Sequence, residues 1–166
     1  FAKSNIQLTS LIRGGGQERG KRAGTENLPS IIGLATALKD AQEHMQQNTA
    51  YITGLRDALR NGLDKIDGAG FNGSREHCLP GTVNYSFQGV NGETLLSLLS
   101  NEGICCSSGS ACSAGSLEPS HVLLALGLSH ETAKSALRFS LCEYNTMDEV
   151  QTIITKVTEA VNRLRR

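Results

Sequence analysis

The chain has 166 residues, of which 39% are hydrophobic and 19% are charged. This length and composition are typical of a globular domain and exclude a disordered segment. Its 16 basic and 16 acidic residues give a formal net charge of zero. That balance argues against nucleic acid or an anionic membrane as the main partner. No apolar run approaches the length of a membrane span, so no membrane association is expected.

The sequence contains five cysteines, an odd number, and none of them is spaced as Cys-x-x-Cys. We therefore expect no structural metal site, and free thiols in a reducing, cytoplasmic compartment. Cys105 and Cys106 follow an apolar run and are expected in or near the core.

The first half of the chain predicts a strand, a loop and two helices. Residues 6–12 are apolar enough for an edge strand, and residues 14–27 form a polar loop rich in glycine. Asn27 is a reasonable N-cap for a first helix with apolar residues from 31 to 41. A second helix is predicted over residues 52–66, where apolar side chains again recur at helical spacing.

The second half alternates short strands with helices. Strands are predicted at residues 82–87, 104–106 and 137–141, and helices after Gly92, after Pro119 and after Thr146. Thr146 and Glu149 have the spacing of a capping box at the start of the last helix. The fold class is therefore predicted to be α+β.

Residues 107–116 place Cys112 in a run of small residues that bury almost nothing. Such a run is typical of a mobile surface loop, and a cysteine displayed there is better explained by reactivity than by packing. Cys112 is thus a candidate nucleophile, and the movement of its loop would bring it to the group that it attacks. The alternative is a cysteine without a role in a solvated linker.

Other segments suggest anion binding. The glycine-rich turn over residues 14–25 combines backbone N–H groups, the hydroxyl of Thr25 and the basic residues Arg19, Lys21 and Arg22, which suits a phosphate. A solvated basic loop is the competing interpretation. Arg138 lies in a predicted strand, where a carboxylate partner would account for it, although a solvent-facing position is equally consistent. His44, His77 and His130 are expected at the surface, and His121 is expected to belong to a helix start rather than to act as a catalyst.

Together these segments resemble the pyridoxal-phosphate-dependent cysteine desulfurases of the NifS/IscS type. Residues 14–27 read GGGQERGKRAGTEN, residues 107–112 read SSGSAC, residues 117–123 read LEPSHVL and residues 137–141 read LRFSL. Each resembles a motif of that family, in the family's order. The loop around Cys112 is similar to that of the first of the two desulfurase groups.

The resemblance implies a fold and a set of roles. Residues 1–27 would be the end of the large domain of a fold type I enzyme, and residues 28–166 its small C-terminal domain. Cys112 would receive sulfur from L-cysteine as a persulfide, Arg138 would hold the substrate carboxylate, and Thr25 would bind the cofactor phosphate of the neighbouring subunit in a homodimer. A sulfur-acceptor protein, such as an iron–sulfur scaffold, would be the partner.

The resemblance also implies what the sequence lacks. The family's Schiff-base lysine, the histidine that stacks on the cofactor and the aspartate that pairs with its ring nitrogen do not occur in these 166 residues. We therefore expect no desulfurase activity from the chain alone. A selenocysteine lyase and a non-enzymatic sulfur carrier that uses Cys112 without a cofactor are the alternatives.

Overall fold

The computed structural model describes residue 3, residues 5–108 and residues 119–166. The chain separates into two compact units, Phe1–His44 and Met45–Arg166. The two units differ from the two domains predicted in the sequence, whose boundary lies after residue 27, and that boundary stays a prediction.

The first unit is built from a glycine-rich loop and the start of a long helix. The loop contains a short 3₁₀ segment, Gln17–Gly20. The helix α1, Leu28–Leu63, begins where the sequence predicts, because the Asn27 Oδ1 accepts a hydrogen bond from the Ser30 N–H at 3.3 Å. The edge strand predicted at residues 6–12 is wrong: that segment is irregular, and its Ile12 carbonyl accepts hydrogen bonds from the Ala23 N–H and the Ser10 hydroxyl instead of from a neighbouring strand.

The prediction of two successive helices is also wrong, since α1 continues without interruption to Leu63. Residues 42–51 separate the two predicted segments and contain neither glycine nor proline. A segment that lacks a helix breaker and in which glutamine, glutamate, methionine and alanine make up six of ten residues extends a helix that has already started.

A four-stranded antiparallel sheet organises the second unit. Its strands are β1 Ala69–Phe71, β2 Thr82–Phe87, β3 Ser107–Ser108 and β4 Ala136–Ser140, and their order in the sheet is β1-β2-β4-β3. The predictions of β2 and β4 are confirmed. The strand expected at residues 104–106 begins later, at Ser107, and β1 was not predicted.

Within residues 45–108 and 119–166, four further helices accompany the sheet: α2 Gly92–Asn101, α3 His121–Ala125, α4 His130–Lys134 and α5 Met147–Leu164. The capping box at Thr146 and Glu149 is present at the start of α5. The short helix α4 was not predicted. Within the described residues, no helix combines the length and the apolar character that a membrane crossing requires.

One face of the sheet carries the core. Val83, Tyr85 and Phe87 of β2 alternate with polar residues and are fully buried. They pack with apolar residues of β4, α1, α2 and α5 in a single cluster. A smaller cluster formed by Leu123, Ala133 and Ala136 joins α3 and α4 to the sheet. On the opposite face of β2 and β4, Ala136 belongs to this smaller cluster and the remaining side chains are polar.

Candidate functional site

A polar row crosses the sheet on the face opposite the core. In the antiparallel register Asn84 of β2 is paired with Arg138 of β4, and Arg138 is paired with Ser107 of β3. Residues directly opposite one another in adjacent strands project to the same face. The fold therefore brings Asn84, Arg138 and Ser107 together, and we call this set the polar row.

Arg138 is the charged member of the polar row. Its neighbours in β4, Leu137 and Phe139, are buried in the core, whereas Arg138 itself is exposed. In the part of the chain that the structure describes, no carboxylate forms a salt bridge with it. Its guanidinium is thus available to an anion, and its planar donors match a carboxylate in two-point geometry.

A hydrogen-bonded amide pair fixes one end of the polar row. Asn72 Nδ2 donates to Asn84 Oδ1 at 2.7 Å and to Ser86 Oγ at 2.8 Å. The backbone N–H of Asn72 also donates to the carbonyl of Asn84 at 2.9 Å. Because the Asn84 side-chain carbonyl is occupied, its NH₂ group remains as a donor in the row beside Arg138.

The glycine-rich loop of the first unit is shaped by Arg22. Its Nη1 donates to the carbonyls of Gly24 and Thr25, at 3.0 and 2.6 Å. Gln17 Oε1 accepts from the Gly24 N–H at 3.2 Å, which closes the turn from its other side. The hydrogen bonds of Arg22 therefore stabilise the turn. Thr25 lies exposed at the surface, shortly before the start of α1.

The same loop contains two residues in the left-handed backbone region, Glu18 at φ 52° and Arg19 at φ 57°. That conformation is unfavourable for residues other than glycine. Strained backbone of this kind occurs in ligand-binding loops more often than elsewhere. With exposed Lys21 and Arg19, an exposed hydroxyl at Thr25 and the N-terminus of α1 close by in sequence, the loop has the donors that a phosphate requires.

Cys112 lies outside the described residues, so its predicted role is not tested. The two residues that lead into its segment, Ser107 and Ser108, form β3 and pair with Arg138 and Leu137. His44, His77 and His130 are exposed, as predicted, and His121 is an exposed first residue of α3, in agreement with its predicted place at a helix start. Among the described residues no group of three His, Cys, Asp or Glu side chains could hold a metal ion.

The prediction for the vicinal cysteines is half wrong. Cys106 is partly buried and packs against the core, but Cys105 is exposed. The buried residue of this segment is Ile104, whose N–H donates to the Leu99 carbonyl at 2.9 Å. Because Ile104 provides the apolar anchor, the residue that follows it is free to face solvent.

Asn84 and Ser107 were not predicted as neighbours of Arg138, nor Asn72 as the hydrogen-bond partner of Asn84. Asn84 did carry a signal, since it occupies a polar position of an otherwise apolar alternating strand. What the sequence could not supply was the register that sets it opposite Arg138.

The chain was compared with known protein families. The profile of the family described as aminotransferase class-V matches residues 5–153. The chain belongs to the class-V aminotransferase family.

Relatives within this family carry a more specific name. The chain is 43% identical over 166 residues to a cysteine desulfurase of Gluconacetobacter diazotrophicus. It is 42% identical over 168 residues to a cysteine desulfurase IscS of Clostridium botulinum. In both comparisons 99% of this chain aligns, with 42% of the relative, so this class-V aminotransferase chain spans less than half the length of the relatives it matches.

Solved structures agree with the observed fold. A NifS-like protein superposes with a TM-score of 0.84 at 37% identity, over 98% of this chain and 41% of its own. A NifS-like protein from Rickettsia africae gives a TM-score of 0.82 at 30% identity, over 95% of this chain and 41% of its own. The α+β architecture is thus that of part of a fold type I enzyme of this family.

Proposed function

We propose that this chain is the cysteine-carrying part of a cysteine desulfurase, which converts L-cysteine to L-alanine and moves the sulfur to an enzyme thiol. The observation that carries the proposal is 43% identity to a cysteine desulfurase along 99% of the chain. The polar row and the glycine-rich loop support it, because they supply a guanidinium that forms no salt bridge with the described residues and a turn whose exposed donors suit a phosphate.

Arg138 is proposed to bind the α-carboxylate of the substrate. It is an exposed arginine on a strand whose flanking residues are buried, so the strand position is fixed while the guanidinium remains accessible. The neighbouring Asn84 amide and Ser107 hydroxyl offer further donors to a bound carboxylate. A fixed position reduces the entropy lost when the substrate binds.

Cys112 is proposed to receive the sulfur. Its thiolate bonds to the sulfur of the substrate as the carbon–sulfur bond breaks, which leaves alanine and a Cys112 persulfide. No external oxidant is needed, because the electron pair of the broken carbon–sulfur bond stays on the β carbon, which takes up the proton of the substrate thiol and becomes the methyl group of alanine: the carbon is reduced as the sulfur is oxidised. The persulfide is then available to an acceptor protein, such as an iron–sulfur scaffold.

The glycine-rich loop is proposed to hold the phosphate of pyridoxal phosphate, with Thr25 as a hydroxyl donor. When bound, this cofactor acts as an electron sink that weakens bonds at the carbons of an amino acid. Two features of the loop suit a phosphate. The hydrogen bond from Arg22 holds the turn in place, and Thr25 and Lys21 are exposed. We further propose that the protein is a homodimer in which Thr25 binds the cofactor phosphate of the neighbouring subunit. Its proposed location is the cytoplasm.

A chimera provides the test of activity. This chain replaces the matching segment of the Gluconacetobacter diazotrophicus cysteine desulfurase, and alanine and sulfide are measured with L-cysteine as substrate. We expect Cys112→Ser to abolish sulfide release. We expect Arg138→Lys to raise KM roughly tenfold or more, since a lysine cannot reproduce two-point binding of a carboxylate.

Ser140→Ala is the matched control, because Ser140 lies on the same strand and the same face two residues from Arg138. Unchanged KM in Arg138→Lys would contradict the role of the polar row, and sulfide release by Cys112→Ser would contradict the role of Cys112. Turnover of selenocysteine in preference to cysteine would instead indicate a selenocysteine lyase. If the chimera does not fold, persulfide formation on Cys112 of this chain, supplied by a separate desulfurase, is followed by mass spectrometry.

A further inference from the structure

Two adjacent thiols lie outside the proposed substrate site. Cys105 is exposed, Cys106 is partly buried, and neither is in a disulfide. We propose that Cys105 and Cys106 together form a binding site for trivalent arsenicals that carry one organic group and two exchangeable ligands. The proposal is independent of the proposed function, because it requires neither L-cysteine nor a cofactor.

The backbone around the pair is held at both ends. On one side Ile104 is buried and hydrogen-bonded to the Leu99 carbonyl at the end of α2. On the other side Ser107 is paired with Arg138 in the sheet. Both thiols line the same concavity and are joined by one peptide on an anchored segment, so a group bound to one sulfur is held within reach of the other and the second bond forms within the molecule.

The surface beside the thiols can accept the organic group. Cys105 and Cys106 line a concavity of about 440 Å³. Its other lining residues come from α2 and the segment that follows it: Glu93, Leu96, Ser97, Ser100, Asn101 and Ile104. Leu96 packs against the core and Ile104 belongs to it, so the concavity includes an apolar part beside the sulfur atoms. An aryl or alkyl substituent on arsenic would occupy this space.

The two thiols differ in reactivity. Burial, together with the charge of the neighbouring Cys105 thiolate, raises the pKa of Cys106 to about 11. Cys106 therefore stays protonated at neutral pH, and exposed Cys105 reacts first. Once arsenic is attached to Cys105, the second bond forms within the same molecule.

The chemistry balances without any oxidant. Each thiol loses its proton and displaces one hydroxide from R–As(OH)₂, so two As–S bonds form, two As–O bonds break and two water molecules leave. Arsenic remains trivalent throughout. A single thiol can form only one such bond, and that product exchanges readily with other thiols in solution. Cys78 and Cys142 have no cysteine next to them in the sequence and are the natural comparison.

Phenylarsine oxide is the probe for the test. The reduced chain is mixed with it in the presence of excess glutathione, and intact mass spectrometry counts the bound groups. We expect one phenylarsenic group per chain, removed by an added dithiol. We expect Cys105→Ser and Cys106→Ser each to weaken binding by roughly 10²-fold or more, which is the advantage of a second tethered ligand.

Cys142→Ser, Cys78→Ser and Cys112→Ser serve as controls and should retain the adduct. Far-ultraviolet circular dichroism of each serine variant verifies that it is folded, so a lost adduct cannot be assigned to unfolding. The proposal is overturned if the wild-type chain binds no glutathione-resistant group. It is equally overturned if either vicinal variant keeps the group, or if Cys112→Ser loses it, because a different pair of thiols would then hold the arsenic.

Discussion

The two ends of α1 carry the same apolar repeat in opposite surroundings. Near its start, Leu34 is 72% exposed and Leu38 is 66% exposed. Near its end, Leu55, Leu59 and Leu63 are at most 1% exposed and belong to the main core. One continuous helix thus has an uncovered apolar stripe in the first unit and a covered one in the second.

The spacing of apolar residues thus determines that a helix forms and which face is apolar, whereas packing determines whether that face is buried. Apolar residues at helical spacing predict a helix and its apolar face in both halves of α1. They do not indicate which element, if any, covers that face. Since most helix stability in proteins comes from the packing of that face, the two halves should respond very differently to the same substitution.

The largest difference is expected when a leucine is truncated at each end. Leu59→Ala should lower the free energy of unfolding by about 3 kcal/mol, because it removes a fully buried side chain and leaves a cavity. Urea denaturation followed by circular dichroism measures this change.

Leu34→Ala is the matched variant in the exposed half of the same helix. Surface substitutions of this kind usually change stability by about 0.5 kcal/mol or less. Equal losses at Leu34 and Leu59 would show that the stripe near the start of α1 is covered in solution, and would remove the contrast between the two units.

The elements predicted with success are those whose signals are local. The strand at 82–87 alternates apolar and polar residues, and the start of α5 has both residues of its capping box. By contrast β1 has three residues, including a glycine, and exists because its backbone pairs with β2. Three residues are too few to show the alternation of apolar and polar residues that predicts a strand, so β1 is explained by its pairing with β2.

The neighbours of the predicted site residues could not be found in the sequence for a similar reason. Arg138 and Thr25 were chosen from residue type and from motifs, and their roles stay predictions. Asn84 and Ser107 join Arg138 only through strand pairing between residues distant in sequence. The exposure of Cys105 was missed because an apolar run predicts burial but not which of its members is buried.

A smaller effect is expected from the polar network at the buried end of α1. Arg75 donates to both carboxylate oxygens of Asp64, at 2.8 and 2.7 Å, and the Tyr85 hydroxyl donates to Asp64 Oδ1 at 2.6 Å. Asp64→Asn should lower the free energy of unfolding by about 1 to 2 kcal/mol, since hydrogen bonds to a charged group are lost.

The effect of Asp64→Asn should depend on pH in a defined direction. The hydrogen bonds from Arg75 lower the pKa of Asp64 in the folded state. A depressed pKa contributes stability that is complete above the unfolded value, near 4, and is lost as the pH falls through the folded value. The gap in free energy of unfolding between wild type and Asp64→Asn should therefore narrow in acid, and Asp67→Asn, at an aspartate that forms no salt bridge among the described residues, is the matched control. A gap that widens in acid would contradict this assignment.

The smallest effect, and a change of sign, is expected at two glycines of α1. A Cβ at Gly33 would meet no atom within 4 Å, whereas a Cβ at Gly62 would contact the side chain of Ile154. Alanine is favoured over glycine inside a helix by about 1 kcal/mol, so Gly33→Ala should raise the thermal stability of the helix. At Gly62 the same gain is opposed by overpacking, which typically costs about 1 to 3 kcal/mol, so Gly62→Ala should be neutral or destabilising. Thermal unfolding followed by circular dichroism compares the two variants directly. Stabilisation of similar size at both positions would mean that Ile154 moves aside without cost, and that the covered half of α1 is packed less tightly than its buried leucines indicate.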